Sequence, residues 1–514
     1  MAFKTRPKVK AASWHQTYSD DMPFVLRDVH ELVAEAHRID GIDDYAALHA
    51  WLLRQLDARG VPRLIRPYVE TAVENVLDVH DSIEADLGPL QVLALNPAVG
   101  PPARRLTVWG TLYTTVDGVR EVRRVRVGSA HDVPTAADVA WSTTAAYVAA
   151  TVSSLPAARR VRVVEIGAGD ASCAVLFDGT PDEATTIFVT EGRDRARALV
   201  EQDHVVPCRS CGDCKVTGVC GGPVQVDGML GQTAVGVVSR SVSPTALEKY
   251  ARCPAQWLLD AEAHLPKEPV DSDAIVRGDA VHRWLETAHH RGTACNEADL
   301  PNPAGGAGLG LAGGVLTPDD YAAAYPYLRG HIAVCPLQTR GAAVVAVEET
   351  IYGWDASAQV VPATKPDLLY RLGDRLVIRE TKSMQSPPGD KDDAYSRYLQ
   401  VPFMLALLDA GLAALHAAVA GVVELEILGP DGPEVWAWAT DDPVEVAVAR
   451  ADVRRAVDDW HVDTTFEAAP GPHCVWCPVR KWCPDRDAHQ NPSGGQSLSR
   501  PDSWRDDEDE PPPF

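Results

Sequence analysis

The stretch Lys365-Pro-Asp-Leu-Leu-Tyr-Arg-Leu-Gly-Asp-Arg-Leu-Val-Ile-Arg-Glu-Thr-Lys382 predicts a β-hairpin that turns at Gly373-Asp374. Two-residue turns of this kind between β-rich runs are strong hairpin signals. With this turn, Asp367 lies directly opposite Glu380, which should place their Cβ atoms about 4.5–5.5 Å apart on one face of the sheet. Lys382 shares that face, because side chains alternate along a strand.

This arrangement of charges predicts a metal site. Two facing carboxylates repel each other unless a cation lies between them. Hard oxygen ligands favour Mg²⁺ or Mn²⁺, and a lysine beside the metal can orient an attacking water or help to deprotonate it. The alternative is that Asp367, Glu380 and Lys382 are ordinary charges on an exposed hairpin.

The sequence around the hairpin predicts three helices with notable residues. Ser243-Pro244 supplies an N-cap and a first helical residue for a helix that reaches Asp260 and carries Cys253. A second helix carries His282, and a third begins near Gln400, after the Lys382 strand.

Seven of the eleven cysteines form two clusters, and each cluster contains C-x2-C-x5-C. Each cysteine of the second run lies 263 residues after its counterpart in the first (474 − 211). Such spacing in a chain with reduced thiols favours a metal or cluster site over disulfides, and its recurrence indicates an internal duplication. The clusters are Cys208, Cys211, Cys214 and Cys220, then Cys474, Cys477 and Cys483; Cys173, Cys295 and Cys335 are expected to be small buried apolar residues.

Aligning the turns Asp117-Gly118 and Gly373-Asp374 compares the two halves directly. Arg124 then aligns with Glu380, and Arg126 with Lys382, so the first half lacks the metal-binding carboxylates. Its strand is basic in an otherwise acidic protein. Arg124 and Arg126 are predicted either to contact a nucleic-acid backbone or to protect a solvated edge strand.

The second half resembles the PD-(D/E)XK nuclease superfamily, and specifically the RecB-like branch with an iron–sulfur cluster. That branch is found in AddB-type helicase–nuclease subunits and CRISPR-adaptation exonucleases. The resemblance covers roughly residues 242–484 and rests on motifs in this order: Cys253, G-x-x-x-H ending at His282, P-D at Asp367, E-x-K at Glu380 and Lys382, Gln400, and C-x2-C-x5-C. One departure is Met404, which stands where the family often has tyrosine.

The resemblance implies roles for these residues. Asp367, Glu380, the carbonyl of Thr381 and His282 would hold the metal, Lys382 would handle the attacking water, and Gln400 would help to position the lysine or the substrate. Cys253 would join the last three cysteines around a [4Fe–4S] cluster, for which zinc is the rival. The first cluster, from Cys208 to Cys220, would hold a second iron–sulfur cluster or zinc.

We therefore predict an α/β protein with two PD-(D/E)XK nuclease-like lobes, each a mixed central sheet flanked by helices. The predicted domains are a degenerate lobe (1–238), a catalytic lobe (239–486) and a disordered acidic tail (487–514) that ends in Pro-Phe. The predicted function is a Mg²⁺- or Mn²⁺-dependent deoxyribonuclease in repair, recombination or defence. The alternatives are an RNA-cleaving nuclease of the same fold and a non-catalytic nucleic-acid-binding subunit.

Composition limits the partners. The net charge of −24 means that DNA contact requires a local basic groove. The chain has no Walker loop, so a helicase would be a separate protein, and the acidic Pro-Phe tail offers a binding segment for a protein with a basic pocket. We expect no secretory signal, no membrane span and a cytoplasmic location.

Overall fold

The computed structural model describes residues 25–37, 45–101, 105–131, 135–153, 157–201, 205–212, 214, 216–231, 240–269, 272–303, 309–311, 314–429 and 431–487. Of the predicted disordered tail (487–514), the residues from 488 onward lie outside the described residues.

The first half builds a five-stranded mixed sheet in the order β1-β4-β5-β6-β7. Only β5 and β6 run parallel, and the long helix α4 connects them. The strands are β1 (Gln91–Leu95), β2 (Ala98–Val99), β3 (Leu106–Thr107), β4 (Thr111–Thr114), β5 (Val119–Arg126), β6 (Arg160–Gly167) and β7 (Cys173–Gly179). The helices are α1 (Val25–Ala36), α2 (Tyr45–Ala58), α3 (Arg66–Leu87), α4 (Ala136–Thr151), α5 (Pro181–Ile187) and α6 (Arg193–Glu201).

The second half repeats this topology in the sheet β12-β15-β16-β17-β18, where only β16 and β17 run parallel. The strands are β12 (Ala342–Val347), β13 (Ile351–Trp354), β14 (Val360–Thr364), β15 (Leu368–Leu372), β16 (Arg375–Ser383), β17 (Ala420–Gly429) and β18 (Gly432–Ala439). The helices are α7 (Pro244–Arg252), α8 (Pro254–Gln256), α9 (Asp273–His289), α10 (Pro318–Val334), α11 (Lys391–Arg397), α12 (Gln400–Leu407), α13 (Ala413–Leu415) and α14 (Pro443–Val462). The shared strand order and directions agree with the predicted duplication.

The hairpin β15–β16 has the predicted register. Leu368 pairs with Arg379 and Leu372 with Arg375 across a turn at Gly373-Asp374. Gly373 has a φ of +62°, which a residue with a side chain rarely adopts, so glycine suits this position. Because pairing continues in step toward the open end, Asp367 faces Glu380.

A short break in the chain positions Cys253. The Ser243 hydroxyl accepts a hydrogen bond from the N–H of Ala246 at 3.2 Å and caps α7, as predicted. The helix does not reach Asp260 in one piece, however. Cys253 is extended (φ −160°) because it precedes Pro254, whose ring disfavours the helical conformation of the residue before it.

Strands from around the predicted domain boundary join the second half. β8 (Val224–Gln225) pairs with β13, and β9 (Arg240–Val242) pairs with β14, in the four-stranded sheet β8-β13-β14-β9. A further pair, β10 (Leu309–Leu311) and β11 (Gly314–Leu316), forms a separate hairpin. The boundary at residue 238 remains a prediction, although β8, which precedes it, pairs with a strand of the second half.

One hydrophobic core includes residues of both halves. Tyr68 of α3 packs edge-on against Trp482, with ring centroids 5.2 Å apart, and its hydroxyl donates to the carbonyl of Val127 at 2.9 Å. Trp482 in turn donates its indole N–H to the carbonyl of Pro266 at 2.7 Å. The last cysteine-rich segment is therefore held against the first lobe.

Within the described ranges, no single helix is both long and apolar enough to cross a bilayer. The pair Lys391–Arg397 and Gln400–Leu415 meets that criterion only when joined, and it is bent by 87°.

Candidate active site

Asp367 and Glu380 meet at the open end of the β15–β16 hairpin. The Thr381 N–H, on β16, donates to Oδ2 of Asp367 at 2.6 Å. Both carboxylates are nearly buried, with 7% and 6% of their residue surfaces exposed. The alternative of ordinary surface charges is therefore wrong for this hairpin, because its far end packs inside the protein.

Lys382 completes the predicted trio. Its Nζ donates to Oε1 of Glu380 at 2.9 Å, and only 4% of the lysine is exposed. Burial lowers the pKa of a lysine, but Glu380 and Asp367 hold the pKa of Lys382 above its usual value. The ammonium group is therefore a cation at neutral pH.

His282 reaches the same site from helix α9. Its Nδ1 lies 3.0 Å from Oδ1 of Asp367 and 3.7 Å from Oε1 of Glu348. Asp367 raises the pKa of His282 to about 10. Burial alone would raise the pKa of Asp367, but the charge of His282 and the hydrogen bonds that Asp367 accepts lower it to about 2.

Glu348 is a site residue that the sequence motifs did not indicate. It follows strand β12, and its Oε2 accepts from Nζ of Lys365 at 2.6 Å. Ligand atoms of His282, Glu348 and Asp367 all lie within 4.8 Å of one another, a spacing that suits a shared cation. The sequence signal that could have indicated Glu348 is an acidic residue directly after β12, the strand that pairs with β15 beside Asp367.

Glu248 is a second residue that the motifs did not indicate. It lies on α7 and accepts a hydrogen bond from the N–H of Leu399 at 3.0 Å. Burial raises the pKa of Glu248 to about 7, with the charge of Lys382 opposing the shift. Gln400, the residue after Leu399, begins α12 as predicted and is buried.

The site has unsatisfied acceptors that fit a divalent cation. Oε2 of Glu380 and Oε1 of Gln400 are buried and have no hydrogen-bond partner among the described residues. Burial raises the pKa of Glu380 to about 7 despite the nearby Lys382. Such carboxylate, amide and imidazole groups are ligands that Mg²⁺ or Mn²⁺ accepts. A bound cation would offset the cost of burying the Glu380 carboxylate as a charged group.

Cys253 lies with the C-terminal cysteines, as the resemblance implies. Cys253, Cys474, Cys477 and Cys483 line one pocket together with the apolar side chains of Leu259, Ala468 and Val479. The N–H of Ala469 donates to Sγ of Cys253 at 3.5 Å, and that of Gly471 to Sγ of Cys474 at 3.4 Å. Burial raises the pKa of Cys477 to about 12 and that of Cys483 to about 11, so a positively charged metal or cluster would be needed to keep them as thiolates.

The described residues of the two cysteine runs share three backbone hydrogen bonds. Cys211, Cys214 and Cys220 donate their N–H groups to Cys208, Cys211 and Thr217. Their counterparts Cys474, Cys477 and Cys483 donate to Gly471, Cys474 and Arg480, which lie at the same offset of 263 (474 − 211). Cys208 therefore occupies the position of Gly471, a local site for a fourth thiol that the second run lacks.

The basic strand of the first half, β5, is not a solvent-exposed edge strand, and its arginines are paired with carboxylates. Arg124 donates to Oδ1 of Asp138 at 2.6 Å and also to Glu165, and Arg126 lies 3.4 Å from the same two carboxylates. The prediction of a solvated edge strand is wrong, because β5 is the central strand of its sheet. Contact of Arg124 and Arg126 with nucleic acid remains a prediction.

Of the three cysteines predicted to be small buried residues, two are buried and one is exposed. Cys173 is exposed rather than buried. Cys295 and Cys335 are buried as expected, but they lie beside two histidines and not only among apolar groups.

Residues 241–484 match the family model of the PD-(D/E)XK nuclease superfamily. A search of curated proteins finds no significant match. Similar solved structures include the crystal structure of SSO0001 (13% identity, covering 48% of this chain and 86% of that one, TM-score 0.24). Another is that of a "putative exonuclease" from Eubacterium rectale (12% identity, covering 50% and 90%, TM-score 0.29). The matched range contains Asp367, Glu380, Lys382 and the C-terminal cysteines.

Proposed function

We propose that this chain, whose residues 241–484 match the PD-(D/E)XK nuclease superfamily, is a Mg²⁺- or Mn²⁺-dependent deoxyribonuclease. One observation carries the proposal: the buried Asp367, Glu380 and Lys382 are joined to His282 in a single site. Structural hairpins seldom bury such a group of charges without a ligand or a reaction to explain it.

The proposed metal ligands are Asp367, Glu380, His282 and the carbonyl of Thr381, with Glu348 close enough to contribute. When bound, the divalent cation supplies a Lewis acid that favours ionisation of water and offsets negative charge on the phosphate. The Thr381 N–H and His282 hold Asp367 from two sides, which fixes the orientation of that carboxylate.

Lys382 acts on the phosphate through its charge. Because Glu380 and Asp367 keep it protonated, the ammonium group donates to an oxygen of the scissile phosphate and stabilises the charge that develops there. Lys382 would also orient the attacking water beside the metal, as the resemblance implies. Gln400, with a buried free Oε1 among the described residues, positions the substrate or the lysine.

Cys253, Cys474, Cys477 and Cys483 are proposed to bind a [4Fe–4S] cluster. Four cysteines around one pocket supply the number of thiolates that such a cluster needs. The cluster would join Cys253, at the start of the domain, to the last three cysteines, at its end. Zinc is the rival occupant, and for Cys208, Cys211, Cys214 and Cys220 either cofactor fits.

The biological setting that we propose is cytoplasmic DNA repair, recombination or defence, with cleavage from ends. The partners would be DNA, a separate helicase, and a protein that binds the acidic Pro-Phe tail. The first lobe would be a degenerate copy that supports DNA binding. The alternatives are an RNA-cleaving nuclease and a non-catalytic nucleic-acid-binding subunit.

An assay on purified protein with Mg²⁺, Mn²⁺ or EDTA tests these alternatives. Labelled single-stranded DNA, duplex DNA, closed circular DNA and RNA are compared for the wild type, Glu380→Gln and the control Glu349→Gln, which alters an exposed residue nearby. We expect metal-dependent cleavage of linear DNA that Glu380→Gln abolishes and Glu349→Gln retains. Cleavage confined to RNA, cleavage of circles, or binding without cleavage would each favour a different function.

A further inference from the structure

Two histidines and two cysteines converge in the second half, away from the carboxylate site. His289 ends helix α9, Cys295 follows it in a loop, His331 lies in α10, and Cys335 directly follows α10. All four are buried, with at most 3% of any of them exposed. One ligand atom from each residue lies within 4.8 Å of those of the other three.

The distances match a tetrahedral ion. Nε2 of His289 and Nε2 of His331 are 3.2 Å apart. Zinc–nitrogen bonds of about 2.0–2.1 Å at a tetrahedral angle place two nitrogen ligands about 3.3 Å from each other. The two Sγ atoms also lie within 4.8 Å of each other, and the N–H of Cys295 donates to Sγ of Cys335 at 3.5 Å.

The outer contacts are those of a metal-bound histidine. Nδ1 of His331 lies 2.7 Å from Oε1 of Glu426, so this nitrogen donates its proton and Nε2 faces the cluster. Glu426 is fully buried, and its Oε2 accepts from Nη1 of Arg379 at 2.9 Å. A carboxylate behind a histidine is the usual second contact of a zinc ligand, where it fixes the ring and strengthens its binding.

Packing alone does not account for these four polar side chains. They lie in an apolar cluster that includes Trp284, Leu285 and Leu328. Nε2 of His331, whose Nδ1 is used by Glu426, faces Nε2 of His289 at 3.2 Å. Burying unpaired polar groups is unfavourable, whereas a cation held by two thiolates and two imidazoles satisfies the facing atoms together.

We propose that His289, Cys295, His331 and Cys335 bind one Zn²⁺ ion as a closed structural site. All four positions of the tetrahedron come from the protein, so no position remains for a substrate or water. The site ties the segment from His289 to Cys335 into a loop closed on the sheet through Glu426. It also fixes the end of α9, the helix that carries His282 two turns earlier.

This site is separate from the proposed iron–sulfur and magnesium sites, and the proposal does not depend on nuclease activity. Its sequence pattern, H-x5-C followed later by H-x3-C, has spacings that the resemblance did not cover. Zinc is favoured over magnesium because thiolate and imidazole are softer ligands than carboxylate oxygen.

Metal analysis of the full-length protein tests the assignment. Zinc and iron are measured by mass spectrometry in the wild type, Cys295→Ser, Cys335→Ser and the control Cys173→Ser, whose cysteine is exposed. We expect the first two variants to lose one equivalent of zinc per chain while iron is unchanged, and the control to match the wild type. Equal zinc in all four proteins would overturn the proposal.

A second measurement needs no variant and covers the case in which the serine variants fail to fold. Zinc-edge X-ray absorption of the wild type should show nitrogen ligands at about 2.0–2.1 Å besides sulfur at about 2.3 Å. A zinc shell made only of sulfur would overturn the proposal. So would a zinc-free protein in which peptide mapping finds a disulfide between Cys295 and Cys335.

Discussion

The backbone N–H of Thr381 donates to Oδ2 of Asp367 at 2.6 Å, across a hairpin that separates the two residues by 14 positions. This bond joins the backbone of one strand to a side chain of the other, and it fixes the orientation of the Asp367 carboxylate before any ligand binds. The neighbouring residues Glu380 and Lys382 then point to the same face. The hairpin thereby preorganises the charges that the proposed reaction needs, which is the main way in which a site of this kind lowers a barrier.

Loss of the Lys382 charge should remove cleavage. In Lys382→Met the buried stem is kept, but the group that donates to Oε1 of Glu380 is gone. We expect cleavage of linear DNA to fall by about 100-fold or more, the usual scale for one preorganised donor in an active site. Single-turnover cleavage measures the change, with folding checked by circular dichroism. Retention of most activity would contradict the assignment of the site.

Glu348 should affect metal affinity more than the rate at saturating metal. Its contacts with His282 and Lys365 hold one side of the proposed cation site. We expect Glu348→Gln to raise the Mn²⁺ concentration for half-maximal activity by about 10-fold or more, as outer contacts of metal sites do. The adjacent exposed residue offers the control Glu349→Gln, which should leave the metal titration unchanged. The same shift in both variants would count against Glu348.

Cys253 should be as important for the cluster as the C-terminal cysteines, because all four line one pocket. We expect Cys253→Ala and Cys474→Ala to lose iron and visible absorbance to the same extent. The control is Cys173→Ser, which alters an exposed cysteine. Iron and sulfide analysis with absorbance spectra measures the loss. Full colour in Cys253→Ala would show that the cluster uses another ligand.

The ion pairs of Arg124 should matter for the stability of the first lobe. Glu165 is fully buried and Asp138 nearly so, and removal of Arg124 leaves both carboxylates short of a partner. We expect Arg124→Ala to lower the free energy of unfolding by about 3–5 kcal/mol, the scale for breaking a buried pair. The exposed Arg193→Ala should change it by less than about 0.5 kcal/mol.

This measurement also bears on nucleic-acid binding by the first lobe. If Arg124 and Arg126 contact the nucleic-acid backbone, Arg124→Glu with Arg126→Glu should weaken DNA affinity. A loss of affinity counts as direct phosphate contact only if the first lobe stays folded in that variant. An unchanged DNA affinity in a folded double variant would show that the two arginines stabilise the first lobe and do not contact DNA.

His461 should make stability depend on pH. Its Nε2 lies 3.0 Å from the carbonyl oxygen of Ala358, and burial, with the charge of Arg240, lowers the pKa of His461 from 6.5 to about 4. The unfolded chain binds a proton more readily than the folded one, so stability is full above about pH 6.5 and falls as the pH drops toward 4.

The variant His461→Gln keeps a donor to Ala358 but cannot titrate. Between pH 7.5 and pH 5 we expect the wild type to lose about 2 kcal/mol more stability than the variant. Urea unfolding at both pH values measures the difference. Parallel losses in the two proteins would show that His461 does not carry this dependence.

The sequence by itself determined the β15–β16 hairpin and the cysteine runs, because both depend on local rules. A turn at Gly373-Asp374 sets the register of the strands beside it, and that register places Asp367 opposite Glu380. Likewise, the spacing of each C-x2-C-x5-C run sets its own backbone bonds, which recur in both copies.

Only the tertiary structure decided the parts that depend on packing between distant segments. Glu348, Glu248 and the group from His289 to Cys335 take their places because helices and strands far apart in the chain fold together, which local spacing does not fix. Arg124 looked like an exposed charge until the sheet placed it centrally, against two buried acids. Local spacing determines which side chains share a face, whereas burial and long-range contact depend on what covers that face.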